Sequence, residues 1–214
     1  MRRLIVILRN IWEDLIRHIS GPVGIRLRRF YYAPRFQSCG KGLMIASGVY
    51  IYNPQYISLG EQVWIDQHTI LIAGPPAPSS QIKHIANPAF SGKQGEIHIG
   101  NQVHLGIRTI IQGHGGVVIG NHFTSSANVS IFSYSNDPYL CRQGTLPGTS
   151  TYYVMTPTQI GHNVWLGLGV SLIGNTIEDD VFIKPHSLVH KAIPANSIAG
   201  GNPIKLIGSR FKSA

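Results

Sequence analysis

The side chains best suited to moving protons in this 214-residue chain are its ten histidines. Imidazole changes charge close to neutral pH, so it serves as base, acid or metal ligand. One of them stands in an unusual setting, Gln112-Gly113-His114-Gly115-Gly116. Glycines let a backbone approach a ligand closely, and here they are expected to leave amide N–H groups free to face a developing oxyanion. An imidazole in that place can take a proton from an acceptor hydroxyl, with a carboxylate such as Asp137 fixing its tautomer. A plainer reading has His114 merely hydrogen-bonding across a subunit interface. The second polar cluster is Ser133-Tyr134-Ser135-Asn136-Asp137. Tyr134 and Asn136 can orient a substrate there. A neutral amide has no useful proton affinity near pH 7, so Asn136 cannot be the base.

The elements that hold these residues follow from a period of six. Apolar residues recur as Leu59, Ile65, Leu71; Ile99, Leu105, Ile111; Ile119, Ser125, Ile131; Ile160, Leu166, Leu172; and Ile177, Ile183, Val189, with Ile45 and Ile51 completing an earlier partial triplet. Six-residue repeats taken in threes mark a parallel β-helix, a prism with one short strand per face. The spacing breaks only between the third position of a triplet and the first of the next, where it is eight, twenty-eight, eight, twenty-nine and then five. All inserted sequence therefore leaves the prism at one vertex: the loop 72–98, the segment around His114, and the loop 132–159. Loops longer than about fifteen residues in a compact array are usually functional. His114 follows Ile111 by three residues and Tyr134 follows Ile131 by three, so they are expected one coil apart, about 4.8 Å, on that vertex. His68, His98, His104, His122 and His162 fall at solvent-facing or interface positions of the repeat. His186 and His190 flank the exit from the last coil.

Charged residues make up only 13% of the chain, Gly numbers 24, and the net charge is +9. Arg2, Arg3, Arg9, Arg17, Arg26, Arg28, Arg29 and Arg35 precede the repeats, opposed only by Glu13 and Asp14. Leu4, Leu8, Ile11, Leu15 and Ile19 are spaced as on a helix, with Trp12 and Ile16 widening the stripe. That segment is too charged for a membrane span and lacks a small-residue cleavage site. It reads either as a cap over the open end of the prism, which solenoids need, or as a basic amphipathic helix on an anionic membrane. No recognition helix or interleaved aromatic and basic stripe points to nucleic acid. Cys39 and Cys141 give neither a disulfide framework nor metal-ligand spacing, which suits a reducing cytosol. The expected layout is a leader at 1–42, a β-helix domain at 43–191 and a C-terminal extension at 192–214.

Ile160-Gly161-His162-Asn163-Val164-Trp165-Leu166-Gly167 closely resembles the repeat of the hexapeptide acyltransferases. So do Ser187-Leu188-Val189-His190-Lys191-Ala192-Ile193-Pro194 and the ending Ser197-Ile198-Ala199-Gly200-Gly201-Asn202-Pro203-Ile204-Lys205-Leu206-Ile207. The resemblance spans residues 43 to 207. It implies an all-β fold, a left-handed parallel β-helix with an N-terminal helical segment and a short C-terminal extension. It also implies a homotrimer and acetyl transfer from acetyl-CoA, with no metal. The leader with Gly21-Pro22-Val23-Gly24-Ile25-Arg26-Leu27-Arg28 is similar to members serving surface-polysaccharide assembly, which implies a sugar hydroxyl as acceptor and a cytoplasmic enzyme, at most peripheral to the plasma membrane.

The family's base is a histidine in the loop after Ile131, and its motif places that histidine at Asn136; His114 is the substitute. For the coenzyme the resemblance implies Lys191 near the phosphates, Lys205 after Asn202-Pro203 near the adenine, and Gly167 and Gly169 along the pantetheine arm. Trp165 adjoins that groove, though it reads better as corner packing. Three other readings stand beside O-acetylation. They are N-acetylation of an amino sugar, a non-catalytic trimeric sugar-binding or scaffold protein, and a zinc carbonic-anhydrase-like β-helix. The last needs three converging imidazoles, and Gly167 stands where a second histidine is required.

Overall fold

The computed structural model describes residues 2–76, 81–137 and 152–212, with side chains from residue 7 onward. Cys141, the middle of the loop 132–159, and the side chains of Arg2, Arg3 and Leu4 lie outside the described residues. The chain winds as a three-sided parallel β-helix of six coils, preceded by helices α1 (Arg2–His18) and α2 (Gly21–Tyr32). The first face carries strands from Ser38–Cys39 to Asn175–Ile177, the second from Met44–Ile45 to Phe182–Ile183, and the third from Tyr50–Tyr52 to Leu188–Val189. Strand pairing within each face is parallel until the end, where Ser197–Gly200 pairs antiparallel with Lys205–Ser209. No described helix is long and apolar enough to cross a membrane.

The six-residue period sets the register. Leu59 pairs with Ile99, Ile99 with Ile119, Ile119 with Ile160, and Ile160 with Ile177. The second and third inward rows stack in the same way, through Ile65, Leu105, Ser125, Leu166 and Ile183 and through Leu71, Ile111, Ile131, Leu172 and Val189. Each of these side chains is at most 3% exposed. Ser125, the polar member, is satisfied by the Thr109 hydroxyl at 2.9 Å and the Gly106 N–H at 3.0 Å. A second inward position lies two residues earlier, filled by Ile57, Ile97 and Val117 on the first face and Val63, Val103 and Phe123 on the second.

Two of the three corners are closed by one repeated turn. Gln62, Gln102, His122, Asn163, Asp180 and Asn196 turn from the first face to the second, and His68, Arg108, Asn128 and His186 from the second to the third, all with φ between 52° and 60°. These left-handed residues donate their N–H groups to carbonyls of the coil below, as Gln102 does to Glu61 and His186 to Leu168. A turn so constrained has no room for insertions. At the third corner Asn53 alone, among the described non-glycine residues, is left-handed (φ 56°), and both long loops leave there. Tyr152–Met155 from the later loop pairs antiparallel with Tyr134–Asn136 and parallel with Gln81–His84 from the earlier one, forming a side sheet.

The lower end of the prism has no coil beneath it, and the helices substitute for one. Gly48 donates its N–H to the Arg17 carbonyl of α1, the bond that a lower coil would otherwise accept. Arg28, 1% exposed, donates to the carbonyls of Ile45, Ile16 and Ile19 at 2.9, 2.7 and 2.7 Å. It thereby satisfies the end of α1 and the free edge of the second face together. Ile16, Tyr31, Tyr32 and Phe36 close the core beneath Leu43. The cap differs from the expected one: among the described side chains of the predicted α1 stripe only Ile16 is buried, while Leu8, Ile11, Trp12 and Leu15 are 47–59% exposed.

Candidate active site

His114 stands on the corner that carries the loops, half-buried, with Nδ1 2.7 Å from the Gly74 carbonyl oxygen. A carbonyl only accepts, so Nδ1 carries the proton and the lone pair of a neutral ring sits on Nε2. The expected contact with Tyr134 is present, ring centroids 5.2 Å apart and nearly perpendicular at 74°. Tyr134 stacks in turn on Tyr153 at 4.7 Å and 22°, so the side sheet holds an aromatic wall beside the imidazole. Asn136 is exposed and opposite Tyr153 in the antiparallel ladder. Asp137 is 2% exposed and its N–H donates to the Tyr152 carbonyl. The Gly74 carbonyl, rather than Asp137, thus fixes the His114 tautomer.

The glycines around His114 serve packing and do not supply free donors. Gly113 N–H donates to the Ile72 carbonyl, Gly115 N–H to Ser133 Oγ at 3.0 Å, and Gly116 N–H to the Gly113 carbonyl. A Cβ on Gly115 would lie 2.1 Å from the Ser133 carbonyl oxygen, and one on Gly113 2.4 Å from Ile97. Gly116 has φ +94°. The expectation of open oxyanion donors at these glycines is therefore corrected, because Gly113 and Gly115 pair with adjacent coils and Gly116 pairs within its own turn.

Several of the other histidines have definite side-chain partners. His98 Nε2 lies 2.6 Å from Glu96, and His104 Nε2 2.9 Å from Asp66 beside the Trp64 ring. His162 belongs to a ladder at the first-to-second corner, where side chains accept N–H groups from the coil below. Asn101 takes that of Glu61, Asn121 that of Asn101, His162 Nδ1 that of Asn121, and Asp179 that of His162, at 2.6–3.0 Å. His68, His122 and His186 occupy left-handed corners, and His190 Nδ1 faces the Leu188 carbonyl. No group of three potential metal ligands occurs among the described residues.

The coenzyme candidates form a second group. Trp165 lies on the second face, 46% exposed, its ring 4.9 Å from Phe182 and its Nε1–H donating to Ser126 Oγ. Gly167 and Gly169 follow at the second-to-third corner, where a Cβ would meet Pro185 and the His186 ring at 2.7 Å. Asn202 and Pro203, joined by a cis peptide, and Lys205 are exposed above them. Lys191 is exposed at the top of the same corner as His114. A face of six residues spans up to about 20 Å at ~3.3 Å per residue, so one chain keeps His114 and the Trp165 group on different edges.

Sequence reasoning missed four partners: the Gly74 carbonyl, Tyr153, Glu96 and Asp66. Glu96 and His98 are two apart on one strand side, a signal that the period could have given. Also unforeseen is a groove of about 800 Å³ along the first face, floored by Ser58, His98, Gln159 and Thr176, with Ser91 on one rim and Asp179 on the other.

No family model matches the chain. A Saccharomyces cerevisiae protein named "putative acetyltransferase" is 35% identical over 58% of this chain and 61% of its own length, so the chain spans about three fifths of that relative. The dTDP-4-amino-4,6-dideoxy-D-glucose acyltransferase of Escherichia coli is 26% identical over 83% of this chain and 84% of its own. Among solved structures, the N-acyltransferase AntD from Bacillus cereus, in complex with dTDP and 3-hydroxybutyryl-CoA, superposes with a TM-score of 0.68 at 20% identity. That match covers 86% of this chain and 88% of AntD. Proteins similar to this chain are thus named acetyltransferases and sugar acyltransferases, and the fold is shared with a coenzyme-bound one.

Proposed function

We propose that this protein is an acetyl-CoA-dependent acetyltransferase that modifies a sugar hydroxyl in bacterial surface-polysaccharide biosynthesis, working in the cytoplasm as a homotrimer of left-handed β-helices. The observation that carries the reading is His114, whose Nδ1 is held by the Gly74 carbonyl and whose Nε2 is left to act as base. In the reaction the acceptor oxygen attacks the thioester carbonyl carbon while Nε2 takes its proton. Collapse of the tetrahedral intermediate breaks the C–S bond, and the imidazolium returns the proton to the departing thiolate. Positioned proton transfer of this kind contributes roughly 10²–10⁴-fold. Asn136 and Tyr134 orient the acceptor, and Asp137 secures the loop beneath Asn136. Trp165, Gly167, Gly169, Asn202, Pro203, Lys191 and Lys205 hold the coenzyme.

The trimer is supported by the separation of these two groups. Base and coenzyme groove meet only if the corner bearing His114 and Lys191 in one subunit faces the Trp165 edge of the next. A second reading, transfer to the amine of an amino sugar, is favoured by the relative that matches over 83% of the chain and is named for an amino-sugar substrate. An amine is a better nucleophile than a hydroxyl, so it asks less of a base.

Acetyl-CoA binding by calorimetry, with turnover against sugar and amino-sugar acceptors, tests both. The expected outcome is coenzyme binding by wild type and by His114→Ala, with turnover lost only in the variant. Absence of coenzyme binding would overturn the enzyme reading in favour of a scaffold role. Full turnover by His114→Ala would remove it as base, and a gain of activity in Asn136→His would show that the family's position still faces the substrate.

A further inference from the structure

Helix α1 is mounted with its apolar side outward. At 100° per residue, Ile7, Ile11, Leu15, Leu8 and Trp12 cover a continuous arc of about 140°. All five are 47–59% exposed. The helix docks through Ile16, which is fully buried, and through the opposite, polar edge. Glu13 accepts a hydrogen bond from the Tyr31 hydroxyl at 2.6 Å, and Arg17 bonds Asp14 and lies over the Tyr50 ring at 4.0 Å. Helix α2 adds Val23, 63% exposed, and Phe30, 84% exposed. Between the helices runs a cleft lined by Trp12, Leu27 and Phe30, with Arg9 and Arg35 at its rim.

The charge of these two helices is predominantly positive. Up to residue 36 there are eight arginines and two acids, a net of +6 out of the chain's +9. Both acids are engaged, Glu13 with Tyr31 and Asp14 with Arg17, while Arg9, Arg26 and Arg29 are exposed. A second copy of the same surface would bring like charges together, which disfavours self-association. Apolar side chains with an indole, flanked by arginines, complement a surface that is apolar within and anionic at its face.

We propose that α1 and α2 dock this protein on an anionic lipid bilayer, with Ile7, Leu8, Ile11, Trp12, Leu15 and Phe30 in the acyl boundary and Arg9, Arg26 and Arg29 at the headgroups. The proposal does not depend on the reaction proposed above. Buried apolar side chains supply retention, and each arginine strengthens binding about fivefold near the surface. Placement at a membrane would bring the β-helix to acceptors carried on lipid.

The test is co-sedimentation of the full chain with phosphatidylcholine vesicles, with and without phosphatidylglycerol, alongside light scattering for assembly state. The expected result is binding only to the anionic vesicles, weakened by salt. Arg26→Gln with Arg29→Gln should reduce it about 25-fold, and Trp12→Glu with Phe30→Glu should abolish it, assembly and circular dichroism staying as in wild type. No sedimentation, or equal binding to neutral vesicles, overturns the proposal. So does a change of assembly state in the Trp12 and Phe30 variant, which would mark the face as a contact between copies.

Discussion

Replacing Arg28 by Met isolates what closes the lower end of the prism. The guanidinium makes three bonds of 2.9 Å or less to main-chain carbonyls. Hydrogen bonds with a charged partner are worth about 1.5 kcal/mol or more each, so their loss costs about 4–5 kcal/mol. Part is returned, because burial already pushes the arginine pKa down and a thioether of similar length is content in apolar surroundings. The net cost is about 3 kcal/mol, or roughly a hundredfold in an opening equilibrium. In a solenoid each coil feels its neighbours, so the damage should stay local. Hydrogen exchange by mass spectrometry is the assay. Protection should fall about a hundredfold in α1, α2 and the first coil, including the Gly48 amide, and hold in the coils above Ile97. Arg28→Lys should recover only part, since one ammonium nitrogen cannot stand in for donors placed on both Nε and Nη1. Unchanged protection in Arg28→Met, or an equal loss through every coil, would refute the idea that this cation stands in for a missing coil.

Two further outcomes follow from the site and the cap. Gly115→Ala would place a Cβ 2.1 Å from the Ser133 carbonyl oxygen and push the His114 segment off Tyr134, so turnover should drop by about tenfold or more while coenzyme titration stays unchanged. Burial and the hydrogen bond to Glu13 raise the Tyr31 pKa from 10.0 to about 12. A raised pKa means stability fully present below pH 10 and lost as the pH climbs through about 12. With solvent screening the loss is on the order of 1–2 kcal/mol, and denaturant melts across that window should show Tyr31→Phe flattening it.

The inward rows were legible because burial on a prism repeats at a fixed interval, so Leu59, Ile65, Leu71 and their counterparts could be read off directly. The second inward row, Ile57 or Val103, was not, since hydrophobic residues also occur on exposed positions such as Trp64 and Trp165. The corner shared by His114, Tyr134 and the loops followed from where the period breaks. Gly74 as partner of His114 did not, because a backbone carbonyl has no residue type to signal it. The amides of Gly113 and Gly115 looked open for a related reason: their acceptors, Ile72 and Ser133, come from adjacent coils. The apolar stripe of α1 was plain in the sequence, but amphipathicity does not say which side meets the protein. Here Tyr31, Tyr50 and Arg28 recruit the polar edge and the carbonyl end of the helix.

The side sheet sets an order of assembly. Coils can stack as they leave the ribosome, each upon the one before, yet Gln81–His84 finds its ladder partner only when Tyr152–Met155 has been made. Tyr153, the stacking partner of Tyr134 beside His114, arrives with that same late strand. A nascent chain halted before it would hold four coils and the helices at their base, and no finished site. Two more coils, beginning at Thr158–Ile160, still stack after that strand, so the wall beside His114 is completed midway through the winding of the prism and not at either end of it.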